Sequence, residues 1–217
     1  MNIIPFLRLL SANNNREWFE ANRKQYDIAK SELLDIVVGL ISEIKKFDPD
    51  LGDPDPSKCL FRIYRDVRFS HDKSPYKTYM SAFISKGGKG FSGSGYYIHF
   101  EPDKSFAGGG IYGPQPNIQQ AIRNEIYFNA PEFESIILKP SFVNTYGSIM
   151  QEKYSRLPKG YPPDFAYGDL LKFKHYVASC EIPENVLQTD EIQSFTTKVF
   201  IELQAFNQFL NRALQNV

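Results

Sequence analysis

The segment 59–77, CLFRIYRDVRFSHDKSPYK, holds the densest set of groups able to do chemistry. Arg62, Arg65 and Arg68 recur every three residues, Lys73 and Lys77 follow, and Asp66, His71 and Asp72 lie among them. An arginine presents a planar fork that grips a carboxylate or a phosphate through two hydrogen bonds. A phosphorylated or carboxylated small ligand is the first chemistry this spacing suggests. Arg62, Arg65, Arg68, Lys73 and Lys77 would bind it, and Asp66 would orient the arginines. A second reading is a phosphate-directed enzyme in which His71 or Asp72 handles a proton, since an imidazole titrates near neutral pH. A third is a nucleic-acid or protein-interaction module that adds Tyr64, Tyr76 and Tyr79 as stacking surfaces. The same residues can also serve structure alone, with Asp66 and Asp72 pairing with Arg62, Arg65 or Arg68 to staple the loop. Spacing does not separate these readings.

Elsewhere the signals are thinner. His99-Phe100-Glu101 puts a histidine and a carboxylate on one strand face, but no second histidine stands near to complete a metal site, so no metal and no cofactor are expected. Gly108-Gly109-Gly110 ends a strand before a helix start, where exposed amides could hold an anion. Glycines admitting a close neighbour explain the run more simply. The loop 86–95, KGGKGFSGSG, lacks the Gly-Lys-Ser/Thr of a phosphate loop and reads as a mobile hairpin connection carrying Lys86 and Lys89. His175 sits among Lys172, Lys174 and Tyr176, which suits a surface or a pocket edge. No Gly-x-Ser-x-Gly elbow occurs, and neither Cys59 nor Cys180 has an evident histidine base.

Bulk properties narrow the classes. The 217 residues suffice for one domain with a sizeable core, and 42% hydrophobic with 23% charged residues is an ordinary globular composition. Lys+Arg and Asp+Glu are 25 each, so the formal net charge is zero and binding to nucleic acid by bulk charge is disfavoured. Eighteen Phe and 13 Tyr offer rings that bury much area, and the many tyrosine hydroxyls suggest a wet, concave surface. Two cysteines cannot make a disulfide framework and suit reduced thiols in a cytoplasmic protein. MNIIPFLRLLSANNN lacks the basic start and the long apolar run of a signal peptide, and no stretch reaches transmembrane length.

The elements that must position these residues follow from periodicity. Ile4–Leu10 reads as a short helix. Asn14 with Glu17 has capping-box spacing for a second, running from Arg16 to about Phe47 with a possible bend at Gly39. Strands are expected at Leu60–Tyr64, Tyr76–Ser85, Gly95–Glu101 and Ser105–Tyr112. Their short links demand antiparallel pairing, a β-meander. In the first of these, Phe61 and Ile63 share one face with Val67 and Phe69, whereas Arg62 and Tyr64 share the other with Asp66 and Arg68. Arg65 would fall on the apolar side, so the strand should end there and turn through Ser70–Pro75. Helices are expected from Gly113 to about Phe128 and from Pro131. Irregular chain should follow over Phe142–Pro163, then a returning strand at Phe173–Glu181. A last helix capped by Thr189 should complete one α+β domain over residues 1–217, its mainly antiparallel sheet packed against several helices.

RIYRDVRFSHDKSPYKTY resembles the signature of a bacterial family of uncharacterised proteins, domain of unknown function 2461. NNNREWFEANRKQY, GYYIHFEPD, GGGIYGPQP, LPKGY and FNQFLNRAL agree along nearly the whole chain. Where the family pattern has His-Phe-Gly after Lys77-Thr78, this chain has Tyr79-Met80-Ser81. The resemblance implies a single α+β domain and carries no activity with it.

Overall fold

The computed structural model describes residues 1–215. Four helices come first: α1 (Ile3–Ala12), α2 (Arg16–Ala21), α3 (Arg23–Phe47) and α4 (Pro56–Cys59). Three strands follow, β1 (Met80–Ile84), β2 (Gly95–Phe100) and β3 (Phe106–Ile111). Helices α5 (Pro116–Phe128), α6 (Ala130–Ile137) and α7 (Pro140–Tyr146) lead to β4 (Tyr176–Glu181). Helices α8 (Glu184–Leu187), α9 (Ile192–Ile201) and α10 (Gln204–Arg212) complete the order. The strands make one antiparallel sheet in the order β1-β2-β3-β4, a meander joined by a returning strand, so the fold is α+β. No helix among the described residues is long and apolar enough to cross a membrane.

Two compact units are distinguished. One contains residues 1–89, 97–107 and 181–198; the other contains 90–96, 108–180 and the described residues from 199. In the first, α1 and β1 each pack on α3. Its core is Ile3, Phe6, Leu7 and Leu10 of α1, Leu33, Val37, Leu40 and Ile44 of α3, and Ala82, Ile84, Ile98 and Phe100 of the strands, all buried. Alternation along β2 sends Ile98 and Phe100 into this core, so Tyr97, His99 and Glu101 share the opposite face. In the second unit α6 packs on α5, α7 and α10, with Phe133 against Phe206 and Phe209, and Phe142 against Phe206. Arg212 clamps Glu125 and Glu132 there, and the Tyr146 hydroxyl donates to the Val199 carbonyl.

Several elements differ from their sequence expectation. The helix expected over 16–47 is two, because the Asn22 side chain donates to the Trp18 carbonyl at 2.8 Å and competes with helix propagation. The cap of α2 is Asn15, which accepts from the Trp18 amide, rather than Asn14. Gly39 does not interrupt α3; a Cβ there would overlap the Gln193 carboxamide, so the glycine makes room for a side chain of α9. Leu60–Tyr64 forms only isolated bridges, Leu60 to Ala82 and Tyr64 to Tyr76, and regular strand starts at Met80. Three bonds still zip this ribbon: Phe61 N–H to Ser81, Lys77 N–H to Ile63 and Arg65 N–H to Pro75. Pro75 has no N–H to return, which limits the ladder. Helix α7 carries residues 142–146, the start of the stretch expected to be irregular, and the last helix is divided between α9 and α10. At Gly110, φ is +108° and a Cβ would run into the Tyr176 carbonyl, so the glycine run serves the close approach of β3 to β4.

Candidate functional site

The two arms of the ribbon 60–82 are joined by the loop 66–74, and the charged residues of this region divide into two groups. The first group satisfies itself. Arg65 pairs with Asp72 and also donates to the Ser74 carbonyl at 3.3 Å and to Ser70 Oγ at 3.4 Å. Asp72 accepts from the Ser74 amide at 2.9 Å and from Ser74 Oγ at 2.6 Å. These Ser74 bonds, with Arg65, hold the Asp72 carboxyl far below the usual carboxylate range. Arg68 grips Asp66 with both prongs of its fork, at 2.9 and 2.6 Å, and so lowers that carboxyl too. Lys73 caps the Val67 carbonyl at 3.0 Å. His71 is exposed and has no hydrogen bond or ion pair among the described residues, so it is not joined to Asp72.

The second group is not neutralised. Arg62 has no hydrogen bond or ion pair among the described residues, and the nearby Asp66 is already held by Arg68. Lys77 is half-buried, its ammonium 5.6 Å from the Phe61 ring centroid and 5.4 Å from that of Tyr79. Burial pushes the Lys77 pKa down, and the positive charges of Arg62 and Lys89 push it the same way. Lys89 reaches the Leu60 carbonyl at 2.7 Å from the glycine-rich connection. Three cations thus converge where no carboxylate is paired with any of them.

Against this patch lies a polar aromatic face. Tyr97 meets Phe61 edge to face at 6.3 Å. His99 is 7% exposed and is sandwiched between Tyr79 at 4.6 Å and Phe106 at 4.7 Å. The Tyr97 hydroxyl lies 3.0 Å from His99 Nδ1, and Glu101 Oε2 lies 3.3 Å from His99 Nε2. A carboxylate only accepts, so Nε2 carries the hydrogen and Nδ1 accepts from the tyrosine. Burial lowers the His99 pKa while Glu101 opposes that shift. Glu101 also lines a cleft of ≈ 430 Å³ with Arg8, Ser11, Thr78, Pro102 and Asp103. A second recess of ≈ 460 Å³, lined by Asn14, Arg16, Lys73 and Ser74 among others, abuts the self-paired loop. Among the described residues, no three or more His, Cys, Asp or Glu side chains gather as a metal ion would require.

Of the sequence candidates, then, the structure joins Arg62 and Lys77 and adds Lys89, whereas Arg65, Asp66, Arg68, Asp72 and Lys73 bond within the loop. Lys89 could not be assigned from sequence because its partners lie across a glycine-rich connection. Tyr97, His99 and Glu101 did carry a signal, the alternation that gives them one strand face.

A family model described as "Conserved hypothetical protein (DUF2461)" matches residues 2–209, nearly the whole chain. The chain belongs to the DUF2461 family. Neither the curated proteins nor the solved structures yield a match. The DUF2461 match takes in the loop, the cation patch and the aromatic face together.

Proposed function

We propose that this DUF2461 chain binds a small phosphorylated or carboxylated ligand on the patch formed by Arg62, Lys77 and Lys89. The observation that carries the reading is Lys77. A half-buried ammonium, flanked by two further cations and no paired carboxylate, is an electrostatic debt that a bound anion would relieve. Being partly desolvated, it attracts an anion more strongly than an exposed lysine does. Phe61 and Tyr79 add ring faces against which a planar ligand can rest. Arg65, Arg68 and Lys73 are bonded within the loop and stand outside the patch. The Asp72 carboxylate is committed to Ser74 and Arg65 and stays ionised through the neutral range, which argues against a proton-transfer role for it. The two cysteines form no disulfide, which suits a reducing compartment such as the cytoplasm.

Titration calorimetry with inorganic phosphate, phenyl phosphate, nucleotides and small carboxylates tests the reading. Lys77→Met and Arg62→Ala each remove a charge-assisted contact, about 1.5–3 kcal/mol, and should weaken binding at least tenfold. Lys73→Ala should leave affinity unchanged. Equal binding by wild type and Lys77→Met, or no binding by any of these compounds, would refute the proposal.

A further inference from the structure

Tyr97, His99 and Glu101 form a line with two distinct ends. At the outer end Glu101 lines the cleft of ≈ 430 Å³, and its side chain is partly exposed. At the inner end the Tyr97 ring lies against Phe61, the ring beside the Lys77 ammonium. Between them the His99 ring is held by stacking on both faces and has a hydrogen bond at each nitrogen. The Tyr97 hydroxyl lies in the neighbourhood of Ser81, which is buried. An oriented hydroxyl, an imidazole that accepts from it, and a carboxylate that fixes the tautomer are the parts of an acid–base relay. A histidine needed only to fill space would not require a carboxylate open to solvent behind it.

We propose that Glu101, His99 and Tyr97 are a proton relay that exchanges one proton with the anion bound at Arg62, Lys77 and Lys89. This rests on the anion-binding reading above. In the accepting direction a ligand O–H gives its proton to Tyr97 Oη. The hydrogen of Tyr97 moves to His99 Nδ1, and the resulting imidazolium keeps its Nε2–H on the Glu101 carboxylate. One O–H bond breaks on the ligand, one N–H bond forms on His99, and no electrons are transferred. Lys77 stabilises the oxyanion left on the ligand. In the opposite direction the relay returns the proton to a ligand oxygen. The chemical class that fits is an anion bearing an ionisable oxygen, such as a hydrogen phosphate, a phosphate monoester or a hydroxy acid. Tyr97 would touch the ligand; His99 and Glu101 act through it as positioning residues. The titratable neighbours of His99 are Tyr79 ahead of β1 and Tyr97 and Glu101 on β2, and Phe106 of β3 is uncharged. The cations at the two ends are Lys77 and, in the cleft, Arg8.

The test is calorimetric titration of the full chain with inorganic phosphate and with phenyl phosphate, each in two buffers of different ionisation enthalpy. The difference between buffers counts the protons exchanged on binding. Wild type should exchange a fraction of a proton that varies with pH. His99→Gln should bind the same compounds with that fraction changed and its pH profile flattened; Tyr97→Phe, which loses the hydroxyl that meets the ligand, should bind them more weakly and show the same change in the fraction. Tyr97→Phe deletes one hydroxyl and keeps the ring, so it guards against a His99→Gln variant that fails to fold. Glu101→Gln should move the profile, whereas a purely structural carboxylate would alter only stability. Binding with the same proton count in wild type and Tyr97→Phe overturns the relay and leaves the anion site standing. No binding of either compound by wild type removes the anion site, and the relay with it.

Discussion

Three consecutive asparagines, Asn13, Asn14 and Asn15, look equivalent in the sequence, and the structure ranks them. The Asn14 side chain clamps the Tyr76 backbone, donating from Nδ2 to its carbonyl at 2.9 Å and accepting from its amide at 3.1 Å. Tyr76 is buried, stacks on Phe19 at 4.0 Å, and is next in sequence to Lys77, so the clamp anchors the ribbon carrying the cation patch. Asn15 makes one cap bond to the Trp18 amide at 2.8 Å, and Asn13 makes one local bond to the Leu9 carbonyl at 3.0 Å. Asn14→Ala removes two bonds worth about 1 kcal/mol each and leaves two backbone groups short of water, so about 2–4 kcal/mol should be lost. In a chain of this length each kcal/mol moves the midpoint by about 2–4 °C, which gives a fall of roughly 4–16 °C. Asn15→Ala should cost about 1 kcal/mol as a lost cap. Asn13→Ala, which loses one exposed local bond, should fall within about 0.5 kcal/mol of wild type. Urea unfolding followed by fluorescence of the single tryptophan, Trp18, reports all three. Asn14→Asp adds a sign. Its carboxylate cannot donate to the Tyr76 carbonyl, but the protonated acid can, so the folded state favours the proton. The variant's deficit should therefore shrink as pH falls and grow as pH rises. An Asn14→Ala variant no less stable than Asn15→Ala would refute the clamp.

Other expectations follow from single contacts. The Asp72 carboxyl titrates lower in the folded chain than its ordinary value of 3.8, so its stabilising effect is present above that pH and lost as pH falls below it. Asp72→Asn should flatten that part of the stability profile in acid, read as the urea midpoint against pH. Gly110→Ala forces a Cβ toward the Tyr176 carbonyl at a backbone φ of +108°, and should cost at least about 2 kcal/mol or give insoluble protein. Tyr146→Phe deletes the buried hydroxyl that serves the Val199 carbonyl and should lower stability by about 1–3 kcal/mol by the same urea assay.

The sequence was most legible where glycine and proline punctuate it. β2, β3 and β4, together with α5 and α6, stand close to their expected limits, because Pro102-Asp103, Gly113-Pro114 and Pro131 leave few other solutions. It was least legible where one polar side chain decides. Asn22 ends α2 by bonding to Trp18, and nothing in the apolar periodicity of 16–47 reports that. In the segment 62–77, the density of charge drew attention to the neighbourhood and hid its division into a self-paired loop and a patch without paired carboxylates. Arg68 with Asp66, and Arg65 with Asp72, are pairings over two and seven residues that composition cannot rank against ligand binding. The contacts around the patch run farther: Lys89 returns to Leu60, and His99 is enclosed by Tyr79, just ahead of β1, and Phe106 of β3.

The self-paired loop has a consequence for descent. Arg65, Asp72 and Ser74 complete one another, so replacing one strands its partners, and a second replacement is then needed to restore the turn. Such a block is inherited whole or rebuilt whole. Positions 65, 72 and 74 should drift together among relatives, while Arg62, which has no hydrogen bond or ion pair among the described residues, is not tied to that block.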